Sequence, residues 1–181
     1  MKKLALFLFV WLALTSCWST STTTDESTKA YSGSGFTINI PTAWTVVDKN
    51  ELPAIKSGQV ELAVSSSDIS SGFANNLVII WQELSEKTTS KRYSLINYSL
   101  SNWEYIEFLK LNEKTITFSD KDTSNLYTFE AKYNTATPKR KFLQTAKICD
   151  NKVYLLTIWI ALGTTDTTRY ENLITSFNCI K

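Results

Sequence analysis

Among its 181 residues the chain has no histidine. This excludes Ser-His-Asp and Cys-His nucleophile arrangements and the zinc sites built on imidazole. The sequence also lacks a Ser-x-x-Lys pair, a GxGxxG turn and a Walker loop, so no phosphate cradle or dinucleotide fingerprint is present and no cofactor is expected. Glycine and proline are scarce, at five and three residues. With 13% aromatic residues and abundant threonine, that scarcity favours strands over a helical bundle. Charge of one sign is missing too, since 19 Lys and Arg stand against 17 Asp and Glu. Nucleic acid calls for a basic excess or a basic stripe, so it is not an expected partner.

Near the start, Lys2 and Lys3 precede an apolar run over residues 4–14, too short to span a bilayer comfortably as a helix. The run leads into Leu14-Thr15-Ser16-Cys17, a small-residue approach to a single cysteine. This arrangement resembles the leader and lipobox of bacterial lipoproteins. The resemblance implies a signal peptide at 1–16, cleavage before Cys17, and a diacylglyceryl group on its sulfur. Two or three acyl chains hold firmly where one holds only reversibly. Trp18 and Ser19 follow, and the lack of Asp there is similar to lipoproteins sent on to the outer membrane in Gram-negative cells. The expected location is the extracytoplasmic face of a bacterial membrane. Removing the leader takes away two of the 19 basic residues and leaves 17 against 17, a neutral chain without a polybasic membrane patch.

Residues 17–34 are rich in Ser and Thr and poor in apolar side chains, which predicts a flexible tether ahead of one domain at 35–181. With Cys17 committed to lipid, Cys149 and Cys179 form an even pair in an exported, disulfide-permissive setting and are expected to be bonded.

Gly35-Phe36-Thr37-Ile38-Asn39-Ile40 alternates apolar and polar residues before Pro41, which predicts a first strand; Trp44-Thr45-Val46-Val47 predicts a short second one. Residues 60–64 resume the pattern. Leu77-Val78-Ile79-Ile80-Trp81 and Val153-Tyr154-Leu155-Leu156-Thr157-Ile158-Trp159-Ile160 are continuous apolar runs suited to central strands covered on both faces. Tyr93, Ile96, Leu100, Trp103 and Ile106 recur at spacings of three and four, predicting a helix over 90–109 with that stripe buried. Three strands are predicted near 114–118, 126–133 and 142–149, then a tight turn at Asp150-Asn151. A last helix follows with Tyr170, Leu173, Ile174 and Phe177 inward, started by Thr168-x-x-Glu171 or by Thr165-Asp166.

Gly35-Phe36-Thr37-Ile38-Asn39-Ile40-Pro41-Thr42-Ala43-Trp44 looks like the Gly-Phe-x-Ile-x-x-Pro-x-x-Trp opening of the PsbP-like family, and Tyr170-Glu171-Asn172-Leu173-Ile174-Thr175-Ser176-Phe177 looks like its closing helix. The resemblance covers roughly residues 31–181. That family includes extrinsic subunits of photosystem II and a nuclear Ran-binding release factor. It implies an α+β fold, an antiparallel β-sheet sandwiched by helices. It also implies a non-enzymatic module that docks onto a protein partner, here at the cell envelope through lipidated Cys17. The absence of histidine leaves no match for metal-binding histidines of the family, so the photosystem role does not carry over.

The remaining chemistry is sparse. Asp120, Asp122 and Asn125 have the spacing of part of a calcium loop, without its central Gly and distal Glu, and read as a hairpin turn with no metal site. Lys139-Arg140-Lys141, the one dense basic cluster, reads as a solvated strand entrance whose charges discourage edge pairing. Trp44, Trp81, Trp103 and Trp159 read as core, three of them on expected buried faces. Two alternatives stay open: a carboxylate-based hydrolase of envelope material, and a carrier of a small hydrophobic ligand in an aromatic pocket between helix and sheet.

Overall fold

A computed structural model describes residues 27–180, apart from 49, 51, 53–54, 56 and 70–71. The leader, Cys17 and the first part of the tether lie outside the described residues. In chain order the elements are β1 (Thr28–Gly33), β2 (Phe36–Pro41), β3 (Trp44–Val46), β4 (Gln59–Ser66), β5 (Asn76–Glu83), α1 (Ser90–Glu104), β6 (Ile106–Thr117), β7 (Thr123–Lys132), β8 (Arg140–Cys149), β9 (Lys152–Ile160), α2 (Thr168–Thr175) and β10 (Asn178–Cys179).

The two apolar runs read as central strands lie side by side. β9 is the middle strand of a seven-stranded sheet ordered β3-β4-β5-β9-β8-β7-β6, and β5 is its neighbour, in register from Asn76↔Trp159 to Glu83↔Lys152. β8 and β9 form a hairpin in which Asp150 takes the positive φ, 54°, that the turn requires. Every pairing is antiparallel.

Side chains alternate between the two faces of this sheet and build two separate cores. On one face Leu77, Ile79, Leu126, Leu143, Tyr154, Leu156 and Ile158 meet Phe36, Ile38 and Ile40 of β2 and Tyr170, Leu173 and Ile174 of α2. On the other, Tyr127, Phe129, Ala131 and Phe142 meet Tyr98 of α1 together with Tyr105 and Phe108. The first core joins the ends of the chain: the Phe36 and Phe177 rings stack at 4.7 Å, Trp44 packs 6.5 Å from Tyr170, and β10 adds to β2 with Cys179 opposite Phe36. The opening and closing motifs of the sequence thus pack on each other.

Four features differ from the sequence reading. The helices do not sandwich the sheet by themselves, because the face opposite α1 is shared by α2 and a second, three-stranded sheet, β1-β2-β10. Thr28–Gly33, expected within the tether, instead forms β1, paired with β2 from Thr28↔Pro41 to Gly33↔Phe36. Its side chains are mostly exposed, so backbone hydrogen bonds rather than apolar burial hold it, and composition alone carries no sign of such a strand. Gly35, at φ +94°, turns the chain between these two strands. The first helix stops at Glu104, where Tyr105 turns extended, and Ile106 begins a 12-residue edge strand, β6. Finally, α1 presents the reverse of its expected face. Its buried residues are Ser90, Ser94 and Ser101, while Ile96, Leu100 and Trp103 are exposed.

Candidate functional site

The orientation of α1 follows from the strands beneath it. Ladder pairing between β7 and β8 runs from Ala131↔Arg140 to Tyr127↔Gln144 and goes no further, leaving backbone groups beyond it in need of partners. The serines of α1 supply them. Ser94 Oγ donates to the Asn125 carbonyl at 2.6 Å, where Thr145 Oγ1 donates as well at 2.8 Å. Ser90 Oγ accepts the Ile148 N–H at 3.0 Å and donates to Asp122 at 2.7 Å, and Ser101 Oγ donates to Gln144 Oε1. Thr89 caps the helix by accepting the Arg92 N–H. A polar helix face is therefore satisfied inside, and the apolar stripe turns outward.

That stripe consists of Leu95, Ile96, Leu100 and Trp103, with Trp103 87% exposed. Contiguous exposed apolar side chains along a helix mark an interaction surface more often than a lone exposed leucine does. No helix among the described residues is long and apolar enough to cross a membrane.

Beneath the carboxyl end of α1 lies an aromatic layer. Tyr98 stacks on Tyr127 at 4.1 Å, Phe108 on Phe129 at 4.6 Å and Phe129 on Phe142 at 5.0 Å. Tyr105 contacts both Phe142 and Tyr133. Burial, reinforced by Tyr133 and the Glu104 carboxylate, pushes its phenol up to about 12, so it stays protonated. At the rim of this layer a cavity of about 130 Å³ opens between Phe73, Tyr133, Pro138, Arg140, Phe142 and Trp159. A larger hollow of about 310 Å³ is lined by Lys91, Glu113, Lys114, Thr115 and Asn125. Its charges are largely spoken for, Glu113 by Lys110 and Lys114 by Glu171, which makes the aromatic cavity the better binding candidate.

The acidic residues singled out in the sequence serve a buried cation. Lys147, 3% exposed, lies 2.8 Å from Asp120 and 2.9 Å from Asp122, and its ammonium sits over the Phe118 ring. Asn125 turns instead to Glu113 and the Tyr127 hydroxyl. Burial raises the Asp122 carboxyl, but hydrogen bonds from Ser90, Lys147 and the Thr123 N–H outweigh it and hold the group below its usual range. Glu107, Glu113 and Asp166 are also held low, the reverse of what a general acid requires. No group of three or more potential metal ligands occurs among the described residues.

Cys149 and Cys179 are joined by a disulfide, Cα to Cα 5.6 Å, which clips β10 to the end of β8. Cys17 falls outside the described residues. Of the tryptophans, Trp44 is core, Trp81 and Trp159 are half-buried, and Trp103 is exposed. Sequence reasoning missed Phe73 and Arg140 as pocket residues. Phe73 stands in a polar loop and Arg140 in a basic run, and neither setting signals a cavity wall.

No protein-family model and no curated protein matches this chain. Among solved structures, the solution structure of cyanobacterial PsbP (CyanoP) from Synechocystis sp. PCC 6803 is similar over 92% of this chain and 99% of its own, with a TM-score of 0.58 at 18% identity. The fold is PsbP-like. A crystal structure from Bacteroides thetaiotaomicron has a TM-score of 0.46 at 10% identity, over 81% of this chain and 45% of that one. The PsbP-like framework here is the seven-stranded sheet with α1 on one face and, on the other, α2 beside β2, where the opening and closing motifs meet.

Proposed function

We propose that this protein is a lipid-anchored, extracytoplasmic, non-enzymatic docking module. In this reading residues 1–16 are removed, Cys17 carries the lipid, and the PsbP-like domain binds a protein partner at the cell envelope. The observation that carries the reading is the outward stripe Leu95, Ile96, Leu100 and Trp103 on a helix whose inward face is already satisfied by serines. A protein rather than the bilayer is favoured as its occupant by the order of layers. The chain from Cys17 enters at β1, and β1 and α1 belong to opposite faces of the seven-stranded sheet. Ten residues separate Cys17 from Thr28, a reach of at most about 40 Å when fully extended. In this reading the domain stays within that reach of the membrane, with its tether attached on the layer opposite α1. The paired and lowered carboxylates give no support to a hydrolase.

The test is chemical cross-linking in intact cells, comparing the wild type with Cys17→Ser, alongside metabolic labelling with a fatty acid. The reading expects label on the wild type alone and one dominant protein adduct that is lost from the unanchored variant. The purified partner should bind the wild-type domain and lose at least tenfold in affinity against Ile96→Asp/Leu100→Asp. An unlabelled wild-type protein would refute the anchor; a partner indifferent to the α1 variant would refute the surface.

A further inference from the structure

The aromatic cavity at the rim of the sheet contains one group that its surroundings do not account for. The guanidinium of Arg140 lies 4.2 Å from the centroid of the Phe73 ring, so one flat side is covered by an apolar surface. Among the described residues it forms no ion pair and no hydrogen bond, and its Nε is closed off from solvent without an acceptor. Buried donors are nearly always partnered, so the enclosed Nε–H leaves this guanidinium short of an acceptor, and Arg140 lines the cavity.

The charges that flank Arg140 in sequence have the same sign as its own. Lys139 and Lys141 flank Arg140 in sequence, Lys141 is spent on the Thr164 carbonyl, and no acidic residue lines the cavity. The remaining walls are Thr137, Pro138 and flat rings, with Tyr133 and Trp159 at 5.8 Å and Phe142 and Trp159 at 5.2 Å between centroids. A volume of about 130 Å³ suits a single six-membered ring, since an apolar cavity of about 150 Å³ takes benzene. A guanidinium presents a planar fork that matches a carboxylate better than it matches a neutral oxygen.

From these features we propose that the cavity is a binding site for a small single-ring carboxylate. Its ring lies among Phe73, Phe142 and Trp159, and its anionic group is held by Arg140. The site is separate from the α1 stripe and does not rest on the docking reading. It assigns a role to the member of the basic cluster that lines the cavity.

Benzoate serves as the probe, with benzyl alcohol as the neutral ring and acetate as the anion without a ring. Each is titrated into ¹⁵N-labelled domain while the Trp159 indole N–H and the Thr137 amide are followed by NMR. The expected result is saturable binding of benzoate, centred on those signals and at least tenfold tighter than either control. Arg140→Gln should bring benzoate down to the level of benzyl alcohol while leaving benzyl alcohol unchanged, and Ile96→Asp/Leu100→Asp should leave benzoate binding intact. The wild-type comparison decides the matter even if Arg140→Gln folds poorly. Equal affinity for benzoate and benzyl alcohol, or shifts scattered over surface lysines without saturation, would overturn the proposal.

Discussion

Replacing Trp103 with alanine is predicted to leave the stability of this domain nearly unchanged, although burying a tryptophan in a core is among the largest single contributions a side chain makes. Trp103 is 87% exposed, whereas Tyr98, five residues earlier and so about 140° around the helix, stacks on Tyr127 at 4.1 Å and meets Phe108 edge-on at 5.6 Å. Truncating a packed aromatic removes its transfer energy and leaves a cavity, so Tyr98→Ala is expected to cost about 3 kcal/mol. Trp103→Ala should fall within about 0.5 kcal/mol of the wild type, with alanine's better helix propensity offsetting any small loss of contact. Urea denaturation followed by far-UV circular dichroism reads both values from the shift in midpoint at constant slope. The two variants differ by well over 2 kcal/mol if α1 is oriented as described. A cost above about 2 kcal/mol for Trp103→Ala, or equal costs for the two, would mean that the helix is rotated and that the outward stripe does not exist.

Other consequences are equally open to measurement. Removing the Cys149–Cys179 bridge by a paired alanine substitution releases a loop with a sequence separation of 30 and should cost about 3.6 kcal/mol in the chain-entropy model; an unchanged denaturation midpoint would contradict this. Asp120→Asn with Asp122→Asn strands the buried Lys147 ammonium and should cost about 3–5 kcal/mol, while Lys147→Met leaves two partly solvated carboxylates and should cost less. The reverse ranking by chemical denaturation would show that the pair does not act as described. Because the folded Asp122 carboxyl is held below its ordinary value of 3.8, its contribution is present above about pH 4 and lost as pH falls through the lowered value. Solvent reaching the two-fifths-exposed side chain trims the amplitude. Asp122→Asn should flatten that part of a stability profile between pH 5 and 2, and an unaltered slope would refute the assignment.

Much of the fold was legible because its signals were long or chemically specific. The runs around Leu77 and Leu155 suited central strands, and the Phe36 and Phe177 motifs carried the family resemblance, although not the packing of one on the other. Cys149 and Cys179 could be paired by elimination once Cys17 was set aside. The face of α1 was not legible. Periodicity locates an apolar stripe but says nothing about which side of a helix the rest of the fold needs, and here unpaired backbone groups beside β7 and β8 claimed the serine side. The end of that helix was obscured for a related reason, since Ile106 continues the three-and-four spacing into a strand. The aromatic cavity could not be read because its walls come from the loop before β5 and from the ends of β7, β8 and β9, which are distant in the chain.

What meets the outer face of α1 decides whether this domain docks a protein. A photo-activated cross-linking residue placed at position 103 in living cells addresses it directly, with position 162, another exposed apolar site, as the control. The prediction is one protein adduct from position 103 that disappears with Leu100→Asp, and no adduct from position 162. Lipid adducts, the same product from both positions, or none at all from position 103 would contradict it.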